Sequence, residues 1–201
     1  MKFIIWIFFI ILLLLLVSVL LPPKSFSQTA TVPININVNG TLTISDANND
    51  ASSGKNPTIN VNLSITPDLG AASVTGDANF RIRTNQSKWR LTVQRTKEND
   101  SGPTNIEAKD VGLLVTTQAG SKADPNAGKL VSPFTSQTDL SKVSTSSPTD
   151  VIVGGKKTSI DRDNTNANNY FQVNTKYSIF PDFFYQPGTW STTITYNLVS
   201  P

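Results

Sequence analysis

Apolar and polar residues alternate along most of this chain with a period of two, the signature of strands that bury one face. The most regular run closes the sequence, where Trp190, Thr192, Ile194, Tyr196 and Leu198 all fall on one side between Thr189 and Ser200. A terminal segment this regular is expected to dock in a sheet rather than hang free. Lys88-Trp89-Arg90-Leu91-Thr92-Val93 repeats the pattern about a hundred residues earlier. Near the other end, Val32, Ile34, Ile36 and Val38 alternate, and Asn39-Gly40 predicts a hairpin turn into Leu42 and Ile44. Ile59, Val61, Leu63 and Ile65 alternate strictly and predict a further strand. Phe80 and Ile82 predict a strand that pairs with Trp89–Val93 across a turn at Asn85-Gln86-Ser87. Shorter strands are expected at Leu113 and Val115, at Leu130-Val131 and at Val151–Val153. A longer one is expected through Phe171, Val173, Tyr177 and Ile179.

Between these runs lie turn-rich stretches. Residues 117–150 are small and polar, with Pro125, Pro133 and Pro148, and look the least structured. So long a loop inside a compact domain is expected to be functional or mobile. No segment of residues 28–201 keeps an amphipathic helical period over three turns. Many short strands rich in Thr, Val and Ile, at intervals of roughly ten residues, predict an all-β fold: a single antiparallel Ig-like β-sandwich spanning residues 28–201.

The first 27 residues read differently. Lys2 precedes an apolar run from Phe3 to Leu21, Pro22-Pro23 break it, and Ser25-Phe26-Ser27 offers small residues at a cleavage site. This is the pattern of a secretory signal peptide, cut after Ser27. The rival reading is an uncleaved anchor, since the run approaches the roughly 20 residues that span a bilayer. Either way the chain is expected to be exported, to the cell surface or beyond it, or to the periplasm of an organism with two membranes. No cysteine follows the run to carry a lipid.

Removing that segment changes the charge. Lys2 and Lys24 leave with it, so 17 basic residues fall to 15 against 14 acidic ones. A nearly neutral chain with no basic block offers nothing to nucleic acid. It also has no Cys or His, and its single methionine is Met1. Disulfides, thiol nucleophiles, His-based triads and ordinary zinc sites are therefore excluded. Stability must come from an apolar core, for which the length suffices. No cofactor is expected.

Trp89-Arg90-Leu91 and the terminal Gly188-Thr189-Trp190-Ser191-Thr192-Thr193-Ile194-Thr195-Tyr196-Asn197-Leu198 form a pair. Together they resemble the WxL family of bacterial surface proteins. That family carries a mid-domain Trp-x-Leu and a C-terminal Gly-aromatic-x-x-Thr-Ile-Thr-Trp-x-Leu shortly before a proline. Tyr196 stands where the family has Trp. The resemblance covers roughly residues 80–201 and implies a domain that attaches non-covalently to the cell wall, with peptidoglycan or another wall glycan as the partner.

Trp89, Leu91, Trp190, Tyr196 and Leu198 are then the candidate wall-binding residues. Alternation argues instead that they face inward and mark the fold, since large aromatics dominate burial in such cores. Phe180-Pro181-Asp182-Phe183-Phe184-Tyr185 is too dense in aromatics for alternation to bury all of them, and Tyr185 is the expected exposed anchor. Asp46-Ala47-Asn48-Asn49-Asp50 and Asp161-Arg162-Asp163-Asn164-Thr165 space oxygen ligands as calcium loops do. Both lack the Gly and Glu of such a loop and read as surface turns. Ser121-Lys122 and Ser141-Lys142 are adjacent residues that would point to opposite faces if they lay on strands, and only Glu98 and Glu107 supply glutamates. A non-catalytic surface protein is the reading these residues favour. The rival is a fibre-forming, pilin-like subunit, in which Val32–Val38 or Trp190–Leu198 completes the sheet of another surface protein or of a second copy.

Overall fold

Alternating rows of β-branched and aromatic side chains need a second layer to cover them, and two facing sheets supply it. The computed structural model shows that arrangement; it describes Trp6 and residues 33–50 and 54–200. Apart from Trp6, the expected signal segment lies outside the described residues, as does Val32. The chain divides into two units, Met1–Val38 and Asn39–Pro201, and the sandwich belongs to the second.

Its strands in chain order are β1 (Leu42–Asp46), β2 (Val74–Thr84), β3 (Trp89–Arg95), β4 (Asn99–Ser101), β5 (Val111–Ala119), β6 (Lys129–Leu130), β7 (Thr138–Asp139), β8 (Thr149–Gly155), β9 (Phe171–Ile179), β10 (Thr189–Ser191) and β11 (Ile194–Val199). One sheet runs β1-β2-β9-β5-β7, the other runs β11-β3-β8-β6, and β10 pairs with β4 in a short ribbon. Every ladder is antiparallel. The fold is an all-β sandwich.

Strand β9 is the spine. Its whole length pairs with β5 on one side, and Phe171–Ile179 pairs with Ile82–Val74 of β2 on the other. Phe171, Val173, Tyr177 and Ile179 point inward with Phe80, Ile82, Val111, Leu113 and Val115 from the flanking strands. Trp89, Leu91, Val93, Val151 and Ile152 cover them from the second sheet. Val151 and Ile152 are consecutive yet both buried. The β3–β8 register shifts beside them, and such a bulge lets two neighbours face one side.

Four sequence expectations change in detail. Residues 33–41 form no strand, so the expected hairpin arm is absent among the described residues. Instead the Asn85 side chain takes up the backbone there, donating to the Asn39 carbonyl at 2.8 Å and accepting from the Thr41 amide at 2.8 Å. Ile59–Ile65 alternates in burial as expected, but no ladder forms along it among the described residues. Strands β2 and β3 are consecutive but lie in different sheets, so the turn at Asn85–Ser87 crosses between layers rather than closing a hairpin. The terminal strand is two strands, β10 and β11, parted at Thr192-Thr193, where Thr96 exchanges hydrogen bonds with the Thr193 backbone.

Within residues 117–150, expected to be functional or mobile, the stretch 120–148 is anchored. Ala127, Phe134, Leu140 and Val143 are fully buried in the core, with β6 and β7 as short ladders at their flanks.

Candidate functional site

The paired motif lies inside the sandwich. Trp89 is 2% exposed, stacks edge-on against Phe171 with ring centroids 6.0 Å apart, and donates its indole N–H to the Lys156 carbonyl at 2.7 Å. Its ring lies against the backbones of Gly128 and Gly155. A Cβ at Gly155 would come within 2.3 Å of the indole, and one at Gly128 within 2.8 Å. The motif thus reaches beyond its own strand and dictates two glycines elsewhere. Leu91 is fully buried and pairs in register with Leu198.

Tyr196 stacks on Phe80 at 5.0 Å and shares a 3.2 Å hydrogen bond with the Tyr177 hydroxyl. Burial pushes the Tyr196 hydroxyl well above its ordinary range, and it pushes Tyr177 up as well. Trp190 is half-buried against the core, and its buried indole N–H has no partner among the described residues. These five residues build the fold, and none is set out on the surface as a flat aromatic platform.

The aromatic run after β9 is partly exposed, but not at Tyr185. Tyr185 is half-buried against the core, whereas Phe180, Phe183 and Phe184 face solvent, Phe183 at 72%. The Asp182 carboxylate accepts from the Phe184 amide at 2.8 Å, and its carbonyl accepts from the Tyr185 amide at 3.1 Å. That tight turn directs Tyr185 inward and its two neighbours outward.

A polar cleft of about 920 Å³ opens beside β1. Thr43, Asp50 and Arg83 line it together with Lys55, Lys157 and Arg162. The two Asp/Asn-rich turns noted in the sequence meet here. Asp50 is not free to hold a metal: Arg83 grips both of its oxygens at 2.6 Å, Arg81 donates at 2.9 Å and the Ser45 hydroxyl at 2.6 Å. Burial raises the Asp50 pKa, but the bonds from Arg83, Ser45 and Arg81 outweigh it and hold the group at about 2.

The opposite wall is equally well tied. Asp163 accepts from the Asn168 amide at 2.6 Å and from the Thr165 hydroxyl at 2.8 Å, closing the turn on itself. Asp161 is paired with Lys122 at 2.6 Å. Arg83 donates to the Asn166 carbonyl at 2.8 Å, and Arg81 lies 3.9 Å over the Tyr170 ring, so β2 holds both walls. Lys55, Lys157 and Arg162 form no ion pair among the described residues. The cleft therefore presents fixed hydroxyls and amides with a surplus of free cations, and its carboxylates are occupied.

The residues weighed for catalysis are placed apart and occupied. Glu98 pairs with Arg95 at 2.6 Å, Glu107 with Lys109 at 2.7 Å, and the Ser141 hydroxyl bonds Asp139. Sequence reasoning flagged both turns but missed Arg83 as the link between them. Its only local signal was two arginines at alternate positions on the outward face of a strand. No family model matches the chain, and no curated protein matches it.

Proposed function

We propose that this chain is an exported, non-catalytic surface protein that holds anionic cell-wall glycan, peptidoglycan foremost, in the cleft between β1 and residues 157–166. The observation that carries this reading is the cleft itself. Its walls are pre-ordered by Asp50, Arg83 and Asp163, and its three unpaired cations stand among hydroxyl and amide groups. Sugars are recognised by such hydrogen-bonding groups held in place before binding, which lowers the ordering cost of association. Peptidoglycan stem peptides and phosphate-bearing wall polymers supply the anions. The resemblance to the WxL family points to the same partner. The buried placement of Trp89 and Leu91 makes that motif a marker of the fold, with binding carried elsewhere.

The test is sedimentation with isolated wall sacculi at low and high salt. The full chain should pellet saturably at low salt and be released at high salt, because screening weakens exposed charge pairs. Replacing Lys157 and Arg162 together by Ser should abolish pelleting, while Phe183→Ser should leave it intact. Binding lost with Phe183→Ser but kept in the double variant moves the site to the aromatic turn. Protein that stays in the supernatant at every salt concentration sinks the wall reading.

A further inference from the structure

We propose that the aromatic turn at residues 180–185 of one copy of this chain docks in the basic cleft of a second copy, joining molecules end to end. Wall glycan has no part in this contact.

The turn holds its rings out on a fixed backbone. Phe183 and Phe184 are 72% and 68% exposed, and Phe180 is exposed beside them. Asp182 closes the turn through the Phe184 and Tyr185 amides, and the Gln186 amide donates to the carbonyl of buried Thr104 at 3.2 Å. A loop tied in this way cannot fold the rings away. Clustered exposed aromatics on an ordered turn are the kind of apolar patch that marks a contact surface.

Its rim is acidic. The segments that meet here, residues 104–110 and 180–187, contain Glu107, Asp110 and Asp182 against one cation, Lys109, which Glu107 already holds at 2.7 Å. Asp110 and Asp182 have no ion pair among the described residues. Such a rim repels anionic lipid and anionic wall polymer. It favours a cationic partner, and aromatic faces attract cations as well.

The cleft is the matching surface. Exposed Lys55, Lys157 and Arg162 supply its free cations, and Ile160, 60% exposed, lines the same cleft. An apolar centre flanked by cations thus faces an apolar centre flanked by carboxylates, and complementary potentials fix how two such surfaces meet.

One molecule cannot make this contact with itself. Ile179, next to the turn, pairs with Val74 at the start of β2, whereas Arg83 and Thr84 at the end of β2 line the cleft. Eleven residues at about 3.3 Å each set the two surfaces about 30 Å apart. Both surfaces belong to the unit Asn39–Pro201. Residues 1–38 contain no Asp or Glu and so cannot bring carboxylates to the cleft. A second copy brings them together with the rings. Because the two surfaces differ, the contact is head to tail and repeats from copy to copy.

The test is analytical ultracentrifugation of the full chain in a mild detergent that covers the apolar run from Phe3 to Leu21. Mean mass should rise with protein concentration and fall at high salt. A turn variant, Phe183→Ser with Phe184→Ser, and a cleft variant, Lys157→Glu with Arg162→Glu, change only exposed side chains and should keep the melting temperature. Each alone should be monomeric. Mixed in equal amounts they should form a dimer that grows no further, since one intact turn meets one intact cleft. Oligomers that survive in either variant alone, or a mixture that stays monomeric, overturn the proposal. Wild-type mass unchanged in the turn variant, with binding to neutral phospholipid vesicles lost, would assign the rings to a lipid surface and overturn it too. The turn variant keeps its cleft, so its pelleting with wall sacculi reads the glycan assignment separately.

Discussion

Residues 57–66 and residues 120–148 exchange the roles their sequences suggest. The first has the most strictly alternating pattern in the first half of the chain, yet no ladder forms along it and its apolar side chains are half-buried. The second is polar, broken by prolines and without a pattern, yet it drives Phe134, Leu140 and Val143 fully into the core. Alternation states which face of a segment wants to be dry. It does not state that a neighbouring backbone is there to pair with. A loop needs only a few large side chains at the right places to be fixed, provided that its amides bond locally. The Phe134 amide does so to Val131 at 2.8 Å, and Val143 to Leu140 at 3.1 Å.

The strongest way to break this comparison is Phe134→Ala. A fully buried phenylalanine removed from a packed core costs about 3–5 kcal/mol through lost transfer and a residual cavity. Chemical denaturation should show that loss. A change under about 1 kcal/mol would mean that the loop packs only loosely and that its low exposure is incidental.

Much of the fold is legible in the sequence because strand faces are local. The rows on β3, β5, β9 and β11 follow directly from side-chain period, and so does the inward reading of Trp89. Pairing is not local. Asn39-Gly40 has the residues of a hairpin turn, but Asn85, forty-five residues on from Gly40, takes the Thr41 amide that would have closed the turn and bonds the Asn39 carbonyl as well. The β2–β3 turn looks like a hairpin for the same reason. The cleft was half legible. Both Asp/Asn turns stood out by composition, but only the topology brings them together on Arg83. Tyr185 was misread because a dense aromatic run gives no clue to which ring the Asp182 turn sends inward.

Asp50 tests the near end of the weaker region, since it ties the chain just before residues 57–66 to β2. Its folded pKa of about 2 lies below the ordinary 3.8. The stabilisation is therefore present above about pH 4 and is lost as pH falls through about 2. Solvent screening limits the contribution to at most about 2 kcal/mol. Asp50→Asn should lower stability at pH 6 by up to that amount and make the acid limb of the stability–pH curve shallower. The limb should not vanish, because Asp124, Asp161 and Asp163 are also shifted down. An unchanged acid limb would show that the Arg83 pair contributes nothing net.

Leu63→Ala should cost about 1–2 kcal/mol, well under Phe134→Ala, because the side chain is already half in water. Equal costs for the two would erase the distinction between the regions.

The smallest expected effect is the most discriminating, because it separates burial from pairing. Proline removes an amide hydrogen and fixes φ near −65°, at a cost of about 3 kcal/mol where a backbone bond is lost. In Asn174→Pro the proline falls within β9, whose neighbours β2 and β5 pair on both sides, and the domain should lose its cooperative transition. In Asn62→Pro it falls in an extended segment whose side chain faces solvent and whose amide has no backbone partner. The alternating burial of Ile59, Val61, Leu63 and Ile65 is that of an extended chain, the conformation a residue preceding proline favours. The expected change is within about 1 kcal/mol, read as a near-constant denaturation midpoint. A loss comparable to a broken ladder would mean that residues 57–66 do pair in solution.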